Sequence, residues 1–219
     1  MYDKFFVISC TMSGVTSIVN NYRVIKKETK TKFRNEKINN KQINLKEIEK
    51  GSIFKVPTSL PLDDIQNVIN ESRKYNSLFV FIYRQNFFAK ALAWYDWHVD
   101  NKTLDVKYIS KWIKGVRLVE TNVYNLLNRS NVDFKTLTYE DIYINSYDVM
   151  IEKLKVLNLN IDKKTAKLFR YTRLYNTTDN TLNGKYNWKP ELDIHRDKPG
   201  FDICYDLLCD ERIEFNETA

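Results

Sequence analysis

Glycine and proline are scarce in this chain, five and four in 219 residues. No internal repeat and no linker-like stretch divides it, so its length reads as one domain spanning 1–219. Cysteine is sparse too. Cys204 and Cys209 lie far from Cys10, a spacing that builds no disulfide framework and holds no metal. That pattern points to a reduced protein in the cytoplasm of a cell or of a virus-infected host. No apolar run approaches the length of a membrane span. The opening MYDKFFVISC is too polar for a signal peptide and lacks a cleavage site. The Gly-Lys-Ser/Thr of a nucleotide-hydrolysing P-loop is also missing, which argues against a plain ATPase.

What is present is apolar and basic. A hydrophobic share of 43%, with 14% aromatic, is enough for a real core. A formal net charge of +7 favours anionic ligands: a nucleotide, a nucleic acid, or a sulfated or phosphorylated small molecule. The competing explanation is that excess lysine only aids solubility. Enrichment in Asn, Lys, Ile and Tyr matches AT-rich coding, so no single lysine carries weight by itself.

Four short apolar runs predict strands: Lys4–Cys10, Ser52–Val56, Leu78–Tyr83 and Phe134–Thr138. Between them the spacing is helical. Ile18, Val19 and Tyr22 begin one helix; Leu62, Ile65, Val68, Ile69 and Tyr75 face one side of the next. Phe87–Trp97 is a strongly apolar helix, and apolar residues at threes and fours carry a long one from Val106 to Leu127. Ser146 and Asp162 cap two more, the last running to about Tyr175. Residues 26–50 are polar and partly mobile, and 176–219 are loop-rich. Strands alternating with helices predict an α/β fold, a three-layer arrangement with a mainly parallel β-sheet flanked by helices.

The first strand leads into Thr11–Ser17, a small, polar run around Gly14. Between a buried strand and a helix start, such a loop aims backbone N–H groups and the positive end of a helix dipole at one place. That place suits phosphate or sulfate. An ordinary strand-to-helix turn would look the same in sequence.

Several stretches, in order, resemble the PAPS-dependent sulfotransferases, whose donor is 3′-phosphoadenosine 5′-phosphosulfate. TMSGVTS (Thr11–Ser17) is similar to their 5′-phosphosulfate loop, and FKVPTSLP (Phe54–Pro61) to their KTHLP strand and turn. FIYRQNFFAKALAWY (Phe81–Tyr95) resembles the 3′-phosphate segment, and FKTLTYED (Phe134–Asp141) the strand ending in Tyr-Glu-Asp. Leu157–Leu159 resembles a Leu-Gly segment, and GKYNWK (Gly184–Lys189) a late loop over the nucleotide. The likeness covers roughly residues 4 to 175 and implies a P-loop-like sulfotransferase fold, with PAPS as co-substrate and no metal. Three positions depart from the pattern. Met12 replaces the basic residue of the loop, Ala93 the 3′-phosphate serine, and Pro57 or Thr58 the histidine of KTHLP.

The resemblance implies roles for particular residues. The Ser13, Gly14, Val15, Thr16 and Ser17 backbone, with the Ser13 and Thr16 hydroxyls, would hold the 5′ end. Arg84, directly after the third strand, would fork onto the 3′-phosphate. Tyr139 would pack on the adenosine, although a core tyrosine is the simpler reading. Lys55 is the remaining cation for the sulfuryl end. Glu36, in FRNEK, is the candidate general base, with His98 as alternative; His195 has no assigned role. The expected acceptor is a hydroxyl-bearing small molecule or carbohydrate, with no membrane partner. Two rivals remain: an inactive nucleotide-binding or regulatory protein on the same fold, suggested by Met12 and Ala93, and a nucleic-acid-binding protein. Trp94, Trp97 and Trp112 fall at core spacing on helices, which disfavours the latter.

Overall fold

The computed structural model describes residues 2–10, 12–26, 52–99, 103–171 and 195–215. Glu36 and GKYNWK therefore lie outside the described residues. Strands β1 (Lys4–Ser9), β2 (Ser52–Pro57), β3 (Ser77–Tyr83) and β4 (Phe134–Thr138) form one parallel sheet in the order β2-β1-β3-β4. All four strands expected from the sequence are neighbours in it. β1 and β3 are interior, with unbroken apolar runs Phe5–Ile8 and Leu78–Tyr83, because both of their faces are covered. Side chains alternate. Phe5, Val7, Leu78, Val80 and Ile82 enter one core, and Phe6, Ile8, Phe79, Phe81 and Tyr83 the other.

The first core is closed by α1 (Val15–Lys26), α5 (Tyr139–Tyr143), α6 (Tyr147–Leu154) and α7 (Lys163–Tyr171). The second is closed by α2 (Leu62–Ser72) and the C-terminal half of α4 (Val106–Arg129). Helices thus cover both faces of a parallel sheet, an α/β fold in three layers. α4 has 24 residues and is about 36 Å long. Its N-terminal half packs instead with α3 (Phe87–His98) and α8 (Phe201–Leu208) around a third apolar cluster.

Two elements differ from the sequence reading, one in the tail and one where the fourth strand ends. The tail 176–219, read as loop-rich, contains α8, whose Phe201, Cys204 and Leu208 recur at helical spacing and are buried in the third cluster. Tyr139 and its neighbours open a helix rather than only ending a strand. Thr138 accepts from Asp141 N while the Asp141 carboxylate accepts from Thr138 N, a capping box that turns the chain at once. β2 is an edge strand among the described residues, and Lys55 on it is exposed.

Candidate anion-binding site

Strand order places the site. β2 lies on one side of β1 and β3 on the other, so the direction of winding reverses between β1 and β3. In parallel sheets the crevice at such a reversal, beyond the strands' C-terminal ends, is where ligands bind. The loop after β1 and the chain leaving β3 both open there. Met12 and Gly14 turn the loop with left-handed φ of 60° and 71°. A Cβ on Gly14 would lie 2.5 Å from Tyr143 Cε2, so only glycine fits beneath that ring. The Tyr143 hydroxyl donates to Gly14 O at 3.1 Å. α1 starts at Val15, so the N–H groups of its first turn lack helical partners.

Around this loop sits a group of buried hydroxyls. Ser9 ends β1, Ser13 is in the loop, Ser17 is in the first turn of α1, and Thr58 follows β2. Their side-chain oxygens are buried and find no hydrogen-bond partner among the described residues. Thr58 N donates to Ser9 O at 3.0 Å, which ties the ends of β1 and β2 together. Lys55 is brought to the same place by strand alternation. It pairs in register with Val7 and lies two residues beyond Ile53, whose side chain enters the α1-side core. From there Lys55 Nζ donates to Thr16 Oγ1 at 2.8 Å. Although the residue is exposed overall, desolvation of the ammonium lowers its pKa.

At the exit of β3, Arg84 is only 3% exposed, with its guanidinium 4.4 Å above the Tyr139 ring. Tyr139 itself is 1% exposed and belongs to the α1-side core. The next two residues are held by a carboxylate. Glu140 accepts from Gln85 N and Asn86 N, each at 3.0 Å. Asn86 then caps α3 by accepting from Ala89 N at 2.9 Å. The chain leading out of α8 closes the other side: Phe87 N donates to Glu211 O, and Ile213 N to Gln85 O.

Ser13–Ser17 and Lys55 thus meet at one loop, with Arg84 and Tyr139 at the neighbouring strand end. His98 is not brought to them. It ends α3, about 16 Å along the helix from Phe87. There its ring stacks on Trp94 and its Nδ1 lies 3.0 Å from Trp94 O. His195 is buried beside Asp96, with Nδ1 3.2 Å from Oδ2. Trp94 and Trp112, read as core residues, stack on each other half-buried and pack against the third apolar cluster. Ser9, Thr58, Glu140 and Tyr143 are missing from the sequence-derived site. Glu140 lies inside FKTLTYED and Thr58 inside FKVPTSLP, where motif signals were available; Ser9 and Tyr143 have no signature of their own.

Neither a protein-family model nor a curated protein matches this chain. Among the described residues, no group of three or more His, Cys, Asp or Glu side chains is placed to hold a metal ion. No described helix is long and apolar enough to cross a membrane.

Proposed function

We propose that the protein is a sulfotransferase of P-loop-like fold that moves a sulfuryl group from PAPS to a hydroxyl on a carbohydrate or small metabolite. The observation that carries this reading is the reach of Lys55 to Thr16, beside buried hydroxyls and the first turn of α1. A cation, hydroxyl donors and helix N–H groups converging on one loop are what a phosphosulfate needs. Arg84, at the adjacent strand end, supplies a second cationic position for the 3′-phosphate.

In the reaction, the acceptor oxygen attacks sulfur and the bond from sulfur to the phosphate oxygen breaks. The hydroxyl proton passes to a base, and adenosine 3′,5′-bisphosphate leaves. Negative charge grows on the departing phosphate oxygen. A cation at that end lowers the barrier more than it strengthens substrate binding. Lys55 takes this part, where Met12 has displaced the loop's own basic residue. Glu36 is retained as the proposed base.

An inactive nucleotide-binding protein on the same fold is the second reading, and Met12 favours it. Lys55 lying at the loop favours the enzyme. Titration with PAPS and with adenosine 3′,5′-bisphosphate, followed by sulfate transfer to a panel of hydroxyl acceptors, separates the two. Arg84→Ala is expected to weaken bisphosphate binding roughly tenfold or more, from loss of a charge-assisted contact, and Arg129→Ala to leave it unchanged. Equal affinities of the two variants in calorimetry would remove Arg84 from the site. Preference for oligonucleotides over both nucleotides would replace the reading with nucleic-acid binding.

A further inference from the structure

The two loops of the proposed site are not adjacent in sequence, yet one short helix touches both. From α5, the Tyr143 hydroxyl donates to Gly14 O at 3.1 Å and its ring closes over Gly14. From the same helix, Glu140 accepts from the consecutive Gln85 and Asn86 N–H groups at 3.0 Å each. Tyr139, whose ring packs at a tilt against Tyr143 with centroids 4.8 Å apart, lies under the Arg84 guanidinium. The capping box at Thr138 and Asp141 fixes where this helix begins. A carboxylate accepting two backbone N–H groups holds them more firmly than neutral acceptors would.

We propose that α5 is a bracket whose Tyr143 positions the loop after β1 and whose Glu140 positions the chain leaving β3. The two residues act through other groups and touch no ligand. The proposal rests on the reading of these loops as the 5′ and 3′ halves of a nucleotide site. Each positioning residue then serves one half. Loss of the Glu140 charge frees the Gln85–Asn86 backbone and lets Arg84 wander, while the β1 loop keeps its roof. Loss of the Tyr143 hydroxyl loosens Gly14 and leaves Arg84 seated on Tyr139.

The test is a three-ligand titration of the full chain with adenosine 5′-monophosphate, adenosine 3′-monophosphate and the 3′,5′-bisphosphate. Glu140→Gln is expected to weaken the 3′-monophosphate and the bisphosphate by roughly tenfold and the 5′-monophosphate by less than about twofold. Tyr143→Phe is expected to show the reverse, with a loss of roughly fivefold on ligands carrying a 5′-phosphate. The ratio of affinities within one variant does not depend on how much of it is folded, so general destabilisation cannot imitate the split. Uniform weakening of all three ligands, or no change in either variant, overturns the bracket alone. Wild-type protein that takes up none of the three overturns the nucleotide site on which it rests.

Discussion

Lys55 shows how one side chain is assigned by its neighbours. Burial of its ammonium lowers its pKa from the ordinary 10.5. A lysine with a lowered folded pKa opposes folding while it is charged. Its contribution to stability is greatest above the ordinary value and is lost as pH falls through the folded one. The proposed sulfuryl transfer has the opposite need, because only the charged form can stabilise the leaving oxygen. Lys55→Met is therefore expected to reduce kcat by at least about tenfold, with bisphosphate affinity nearly intact and the melting temperature unchanged or raised. The wild-type rate is expected to fall on the alkaline side below pH 10.5, and Lys55→Arg, which stays charged, to move that fall upward. An alkaline limb that stays put in Lys55→Arg would belong to another group.

Where α3 crosses α4, Lys90 and Glu120 form an ion pair at 2.6 Å with both side chains 0% exposed. Glu120 Oε2 has no partner among the described residues. Burial raises the Glu120 carboxyl above the ordinary carboxylate range, against the pull of Lys90, and Glu140 adds to the rise. Removing Lys90 alone leaves a buried charge without its counter-ion. Lys90→Met is expected to cost about 3–5 kcal/mol at neutral pH, and the double variant Lys90→Met/Glu120→Leu to recover most of it. An acid with a raised folded pKa binds its proton more tightly when folded, so stability is lost as pH rises through that raised value. The deficit of Lys90→Met should accordingly shrink in acid. Urea unfolding across a pH series reads both effects, and a deficit that grows in acid would contradict them.

Over the whole molecule, the second and third apolar clusters are linked by α4 and by the segment that follows α8. That segment crosses from the third cluster to the second, where Phe215 packs. Its ring lies 5.3 Å from Phe81, 4.9 Å from Tyr83 and 4.6 Å from Tyr124. Its N–H donates to the Tyr83 hydroxyl at 3.2 Å. On its way the same stretch pairs with Gln85 and Phe87, beside Arg84. Phe215→Ala is expected to cost about 3–5 kcal/mol, as large-to-small changes in aromatic cores do. It should also raise amide exchange at Phe87 and Ile213, whose N–H groups donate to Glu211 O and Gln85 O, measured by mass spectrometry. Protection unchanged at those two residues would mean that the segment and the site are independent.

The strands and most of the helices were legible in the sequence because their causes are local. Unbroken apolar runs such as LFVFIY mark strands covered on both faces, and spacing by threes and fours marks α4. Small residues around Gly14 mark the loop for a comparable reason, since few others tolerate its backbone. α5 was missed because a five-residue helix shows too little periodicity beside a strand that ends in aromatics. The site was only half legible. Nothing near Lys55 in the chain says that it meets Thr16. That contact needs β2 beside β1 in the register that pairs Lys55 with Val7. Nothing near Glu140 says that it meets the backbone after Arg84, which needs β4 beside β3. Strand order and register are set by how the apolar faces of all the elements pack together. The sequence determined which segments could be strands, helices and an anion-receptive loop; the packing of those segments decided which charges stand at that loop.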